Sequence, residues 1–115
     1  MLQRIDTGKT MSRAVNMNGT LYFCGHVARG KDITEQAENL LKRYEELLAA
    51  NGSDKDHIVF ATIYMADMGL KPAFNAVWDA WLNPGCAPAR VCVGVNLGEG
   101  EFLVEVSLIA EQVQK

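Results

Sequence analysis

The chain has 115 residues, 49% of them hydrophobic, which fits one domain over residues 1–115 with a modest core. Eleven Lys and Arg residues against 14 Asp and Glu residues give a net charge of −3, so the broad basic field of a nucleic-acid-binding protein is absent. The N-terminus lacks an apolar signal-peptide core and no apolar run reaches membrane-spanning length, which predicts a cytoplasmic protein with no nucleic-acid or membrane partner.

The first half of the chain predicts a hairpin followed by a helix. The Asn-Gly dipeptide at 18–19 separates two apolar runs within residues 13–24, and Asn-Gly favours a tight hairpin because both turn positions need positive φ. Over residues 32–51 the apolar side chains recur at helical spacing, with Asp32 at the N-cap and Gly52 as the stop. We therefore expect one long amphipathic helix after the hairpin.

The second half predicts a central strand, a second helix and two more strands. Residues 57–66 are apolar at nearly every position, as in a strand covered on both faces. A proline that suits a first helical turn opens a helix over 72–81. Strands over 90–96 and 102–110 flank a glycine-rich turn at 98–100 and are predicted to pair with each other as an antiparallel hairpin.

The predicted fold class is α+β, with element order β-β-α-β-α-β-β and two helices on one face of a mixed sheet. Several strand residues are too apolar for the other face to stay in water: Val91, Val93, Val95, Val104, Val106 and Leu108. Large exposed apolar patches usually mark interfaces, so we expect the bare sheet face to pack against other subunits.

The last predicted hairpin carries a candidate site. Side chains alternate along a strand, which places Arg90 and Cys92 on one face. A turn centred on residues 98–99 would pair Cys92 with Glu105 and Arg90 with Ser107, so that Arg90 and Glu105 become diagonal neighbours. The arginine could then grip an anionic substrate while Glu105 acts as a general acid or base. The alternative is a simple Arg–Glu ion pair that fixes the sheet or a subunit contact.

Three cysteines, Cys24, Cys86 and Cys92, make an odd number without a Cys-x-x-Cys pair, which predicts free thiols in a reducing compartment. For Cys92 a role as a small pocket-lining residue is favoured over a nucleophile. The tryptophans Trp78 and Trp81 lie three residues apart on one helix face and are expected to pack in the core or an interface rather than to stack on a ligand.

Four strings resemble, in order and spacing, motifs of the RidA (YjgF) family: Cys24-Gly25-His26, Phe74-Asn75-Ala76-Val77-Trp78, Pro88-Ala89-Arg90-Val91-Cys92 and Val104-Glu105-Val106. The resemblance covers nearly the whole chain. It implies a chorismate-mutase-like fold assembled as a homotrimer, in which the sheets form a central barrel and the sites lie in clefts between neighbouring subunits.

The resemblance also implies the chemistry. Arg90 would grip the carboxylate of a small-molecule substrate, and Glu105 would handle water or protons. The implied activity is an enamine or imine deaminase that hydrolyses small 2-imino acids, such as 2-aminoacrylate, to 2-keto acids and ammonia with no cofactor. From the residues alone, His26 could be a polar lining of the pocket, and the two isolated histidines, His26 and His57, lack the spacing of a metal site. A non-catalytic protein that binds small carboxylates is the main alternative. Endoribonuclease, a name attached to relatives of the family, fits the acidic charge poorly.

Further pocket positions follow from the same resemblance. Cys24 and Gly25 would supply backbone contacts, Asn75 would support the pocket, and Cys92 would lie close to the ligand. Two positions depart from the family pattern: Met11 stands where many members place a tyrosine in the cleft, and Cys24-Gly25-His26 replaces the usual Ser-Gly-Gln.

Overall fold

The computed structural model describes residues 1–114, which form one six-stranded sheet with two α-helices on one face. In chain order the elements are β1 (Leu2–Thr7), β2 (Ser12–Met17), β3 (Thr20–Phe23), α1 (Ile33–Ala50), β4 (Ile58–Met65), α2 (Lys71–Trp81), β5 (Ala89–Gly94) and β6 (Val104–Glu111). The predicted α+β class is confirmed. No helix in the described part of the chain is long and apolar enough to cross a membrane.

The first hairpin and the first helix form as predicted. Asn18 and Gly19 adopt φ values of 54° and 92° and close the β2–β3 turn, as an Asn-Gly turn requires. The Asp32 side chain accepts a hydrogen bond from the backbone N–H of Glu35 at 2.9 Å, which caps the N-terminus of α1. The sequence did not predict β1, because its mostly polar residues show no clear alternation of apolar and polar side chains. In the structure β1 is an edge strand that pairs with β2.

The predicted pairing of the last two strands is wrong. The strand order is β1-β2-β3-β6-β4-β5, so β4 lies between β5 and β6. β4 pairs antiparallel with β6 and parallel with β5. The crossover through α2 returns the chain beside β4 in the parallel sense, as β-α-β units do. The apolar strand β4 thus gains partners on both edges, and the loop after β5 passes across its end to reach β6.

The two faces of the sheet differ sharply in exposure. Under the helices lie fully buried side chains from β4 and β6: Ala61, Ile63, Met65, Val104, Val106, Leu108 and Ala110. On the opposite face, which we call the open face, large apolar side chains remain 37–46% exposed: Leu2, Met17, Tyr22, Val91 and Val93. The apolar strand residues of the sequence therefore divide between the core and the open face.

A buried glutamine ties α1 to the start of β6. Gln36 is 2% exposed. Its amide nitrogen donates to the carbonyl oxygens of Gly30 at 3.2 Å and Glu101 at 2.8 Å, and its Oε1 accepts from the backbone N–H of Leu103 at 2.9 Å. The bonds to Glu101 and Leu103 fix the loop that delivers the chain to β6, and the bond to Gly30 ties the same side chain to the segment before α1.

We predict that Gln36→Leu destabilises the fold by about 2–4 kcal/mol, because it keeps the side-chain volume but leaves three backbone groups without partners. Urea unfolding measures the loss. Glu46→Leu, an exposed change on the same helix, is the control and should shift the free energy of unfolding by less than about 0.5 kcal/mol. Equal effects from both variants would contradict this role of Gln36.

Candidate active site

Arg90 and Glu105 lie on opposite faces of the sheet. Arg90 is in register with the buried Ala61 of β4, so its side chain leaves the sheet on the helix side. Glu105 is in register with Tyr64, on the open face. The prediction that they are diagonal neighbours is wrong, because it assumed that β5 and β6 pair directly. Cys92 of β5 and Val106 of β6 are both in register with Ile63 of the strand between them, whereas the prediction paired Cys92 with Glu105. This difference of one residue in register moves Glu105 to the other face of the sheet.

Arg90 stands over an aromatic ring. Its Cζ lies 5.6 Å from the centroid of the Trp78 indole of α2, and no carboxylate within residues 1–114 comes within salt-bridge distance of it. On the same face of β5, Cys92 is partly buried against the core. One helical turn before Trp78, the Oδ1 of Asn75 is buried without a hydrogen-bond partner in the described residues. We call Asn75, Trp78, Arg90 and Cys92 the arginine group.

Glu105 packs directly against a glycine. A β-carbon built on Gly25 would lie 2.9 Å from the Cδ of Glu105 and would overlap its carboxylate, so residue 25 has to lack a side chain for Glu105 to keep this position. Cys24 precedes it, half-buried, and burial raises the pKa of its thiol more than nearby Arg13 lowers it. No basic side chain of residues 1–114 forms a salt bridge with Glu105. We call Cys24, Gly25 and Glu105 the glutamate group.

The backbone of the glutamate group is held by α1 and β6. His26 and Val106 exchange two backbone hydrogen bonds, of 2.9 and 3.0 Å. The hydroxyl of Tyr44 lies 2.9 Å from the carbonyl oxygen of Cys24 and 2.8 Å from that of Val106, and can donate its proton to either. Residues 24–26 are therefore fixed relative to β6 before any ligand binds.

His26 is a buried neutral residue and not a lining of an open pocket. It is 4% exposed, its ring meets Tyr44 edge-on at 5.0 Å, and its Nε2 lies 3.5 Å from the Sγ of Cys24. Burial, with the positive charges of Arg13 and Arg43, lowers the pKa of His26 to about 4. The imidazole is therefore uncharged at neutral pH and cannot supply a cation to a substrate.

Met11 is 52% exposed and immediately precedes β2. Arg13, two residues further on, lies beside Cys24 at the end of β3. The amide of Cys24 donates to the carbonyl oxygen of Arg13 at 3.0 Å. The predicted site residues thus divide into two sets, with Asn75, Arg90 and Cys92 in the arginine group and Cys24, Gly25 and Glu105 in the glutamate group. Within one chain the two groups do not face a common space.

The α+β chain is similar in sequence to a known protein family. A sequence profile for the family described as Endoribonuclease L-PSP matches residues 1–112. The RutC family protein YoaB of Escherichia coli K12 is 37% identical over 108 residues, which cover 93% of this chain and 95% of YoaB. A RutC family protein of Haemophilus ducreyi is 33% identical over 112 residues, covering 96% of each chain.

A solved structure has the same fold. A crystal structure of a YjgF family member from Neisseria meningitidis superimposes with a TM-score of 0.95 at 36% identity, covering 100% of this chain and 98% of that one. The chain belongs to the Endoribonuclease L-PSP family, whose relatives carry the RutC and YjgF names. The predicted RidA (YjgF) membership is confirmed.

We predict that His26 makes the fold sensitive to acid. Its pKa lies below that of an unfolded histidine, near 6.5, so the unfolded chain binds the proton more readily and stability falls as pH drops from about 6.5 to about 4. The loss should be on the order of 3 kcal/mol at most. Urea unfolding of the wild type and of His26→Gln across this pH range measures the loss of stability. Glutamine does not titrate, and the contributions of all other titrating groups cancel in the difference between the two proteins. If the free energy of unfolding depended on pH in the same way in both proteins, the assigned role of His26 would be wrong.

Proposed function

We propose that this protein hydrolyses small reactive 2-imino acids, or their enamine tautomers, to 2-keto acids and ammonia. The observation that carries this proposal is the state of Arg90: its guanidinium has no acidic partner in residues 1–114 and lies over the ring of Trp78. One helical turn before Trp78, the buried Oδ1 of Asn75 also lacks a partner among the described residues. A guanidinium binds a carboxylate through two parallel hydrogen bonds, so this position suits the carboxylate of an imino acid.

The chemistry asked of the protein is modest. With the carboxylate on Arg90, a water molecule would attack the imine carbon, and Glu105 would accept its proton. Glu105 would return this proton to the imine nitrogen, which gives the neutral carbinolamine. It would then take the hydroxyl proton of the carbinolamine and pass it to the amino group as the C–N bond breaks, which releases ammonia and the keto acid. Positioning supplies the acceleration, because the substrate is itself reactive and one carboxylate can serve both proton transfers. No cofactor takes part in these steps.

The proposal requires more than one copy of the chain, since the arginine and glutamate groups point to opposite sides of the sheet. A homotrimer, the assembly implied by the resemblance to the RidA family, would cover the open face and could bring Arg90 of one subunit near Glu105 of the next. The large apolar side chains on the open face support such packing. We place the assembly in the cytoplasm, where its three free thiols would stay reduced.

A second candidate function is non-catalytic binding of a small carboxylate in the same cleft. The observation that favours it is Met11, a residue without a hydroxyl where the family pattern often has a tyrosine. Ribonuclease activity, which the family description names, finds little support in a chain of net charge −3.

We predict that Arg90→Ala and Glu105→Gln each lower imine hydrolysis at least about 10-fold, as expected for loss of an oriented carboxylate or of a general base. The assay generates 2-aminoacrylate or another imino acid enzymatically and measures how far the protein suppresses its trapping by semicarbazide. Arg29→Ala is the matched control, because Arg29 is exposed, forms an ion pair with Glu101 at 2.8 Å and lies 5.9 Å from the ring of Phe102, outside both groups. Intact hydrolysis in Arg90→Ala would overturn the proposal.

The two candidate functions separate in the same experiment. No suppression of trapping with several imines, together with binding of pyruvate that Arg90→Ala abolishes, would favour the non-catalytic carboxylate-binding protein. Cleavage of single-stranded RNA that persists in Arg90→Ala and Glu105→Gln would point to the ribonuclease.

We predict that Val91→Asp on the open face reduces the mass of the assembly, because a charge buried between subunits is strongly unfavourable. Val113→Asp is the matched control: both valines are about equally exposed, at 44% and 43%, but Val113 lies outside the sheet. Sedimentation or light scattering measures the mass. A Val91→Asp variant with the mass of the wild type would exclude the open face as the interface.

A further inference from the structure

We infer that Trp78 is a positioning residue for Arg90, which fixes the guanidinium without neutralising it. This inference rests on the proposed function and deepens it. Trp78 is one helical turn from Asn75 on α2, and its indole ring lies under the Arg90 Cζ at 5.6 Å. This separation is within the range over which a cation is attracted to the face of an aromatic ring.

The indole is itself held rigidly. Trp78 is 3% exposed, stacks on Phe74 at 6.0 Å with ring planes 27° apart, and meets Trp81 at 5.6 Å with planes 45° apart. Phe74 is fully buried in the core. An arginine side chain has several rotatable bonds, and ordering them costs free energy when the ligand binds. A fixed ring under the guanidinium reduces that cost beforehand.

The choice of an aromatic partner matters chemically. A carboxylate in place of Trp78 would also fix Arg90, but it would occupy the N–H donors and cancel the charge that a substrate needs. The π face of an indole attracts the cation without accepting its in-plane hydrogen bonds. The donors at the edge of the guanidinium stay available, and they are the groups that bind a carboxylate in a bidentate manner. Trp78 thereby favours small monoanionic carboxylates as ligands of the arginine group.

The test compares Trp78→Leu, Trp78→Phe and the matched control Trp81→Phe. Trp81 is the other tryptophan of the chain, and its ring lies 5.5 Å from the Nζ of Lys55. The control keeps an aromatic ring against Trp78. We expect Trp78→Leu to raise both the Kd for pyruvate and the KM for the imino acid about 3- to 10-fold, with kcat within about 2-fold, because ground-state binding is lost. Trp78→Phe, which keeps a smaller aromatic face, should restore most of the affinity, and Trp81→Phe should leave it unchanged.

A spectroscopic measurement guards against a variant that fails to fold. In Trp81→Phe, Trp78 is the single tryptophan. Pyruvate should change its emission saturably, and the added Arg90→Ala change should abolish the response. Unchanged Kd and KM in both Trp78 variants, or no response of Trp78 emission to pyruvate, would overturn the inference about Trp78. The proposed function would still stand in that case if Arg90→Ala abolishes hydrolysis. Hydrolysis that survives Arg90→Ala would instead remove the proposed function.

Discussion

Strand β4 is hydrogen-bonded along both edges, antiparallel to β6 and parallel to β5, and the side chains of the candidate site take their positions from that arrangement. Its alternate residues Ala61, Ile63 and Met65 are fully buried beneath the helices. Because residues in register across a sheet point to the same side, this buried row assigns Arg90 to the helix side and leaves Glu105 on the open face. One core strand thus separates the two halves of the candidate chemistry.

This separation explains why each half is built differently. The arginine group depends on aromatic packing, since Trp78 and Phe74 come from one amphipathic helix and support a cation at the sheet edge. The glutamate group depends on backbone hydrogen bonds, since Tyr44 and Val106 hold residues 24–26 against β6. In both groups the charged side chain lacks a salt-bridge partner within the described chain, which leaves both charges available to groups outside it.

Buried polar residues link these local features to the stability of the fold. Gln36 fixes the loop that leads into β6, and Tyr44 fixes the backbone before Gly25. His26 sits beside Tyr44 in a buried position that keeps it neutral. Hydrogen-bonded buried side chains therefore hold both the loop into β6 and the backbone of the glutamate group, and buried polar groups of this kind tend to specify a single arrangement.

The sequence by itself determined the elements whose signals are local. The Asn-Gly turn, the capped periodicity of α1 and the continuous apolar run of β4 depend on neighbouring residues only, and each was predicted. The residue types of the site, Arg90 and Glu105 among them, were also visible as motifs. Only the tertiary structure decided that β4 lies between β5 and β6, that Arg90 rests on Trp78 and that His26 is buried. These facts depend on long-range strand pairing, and a single change of register reverses the face of every side chain in a strand.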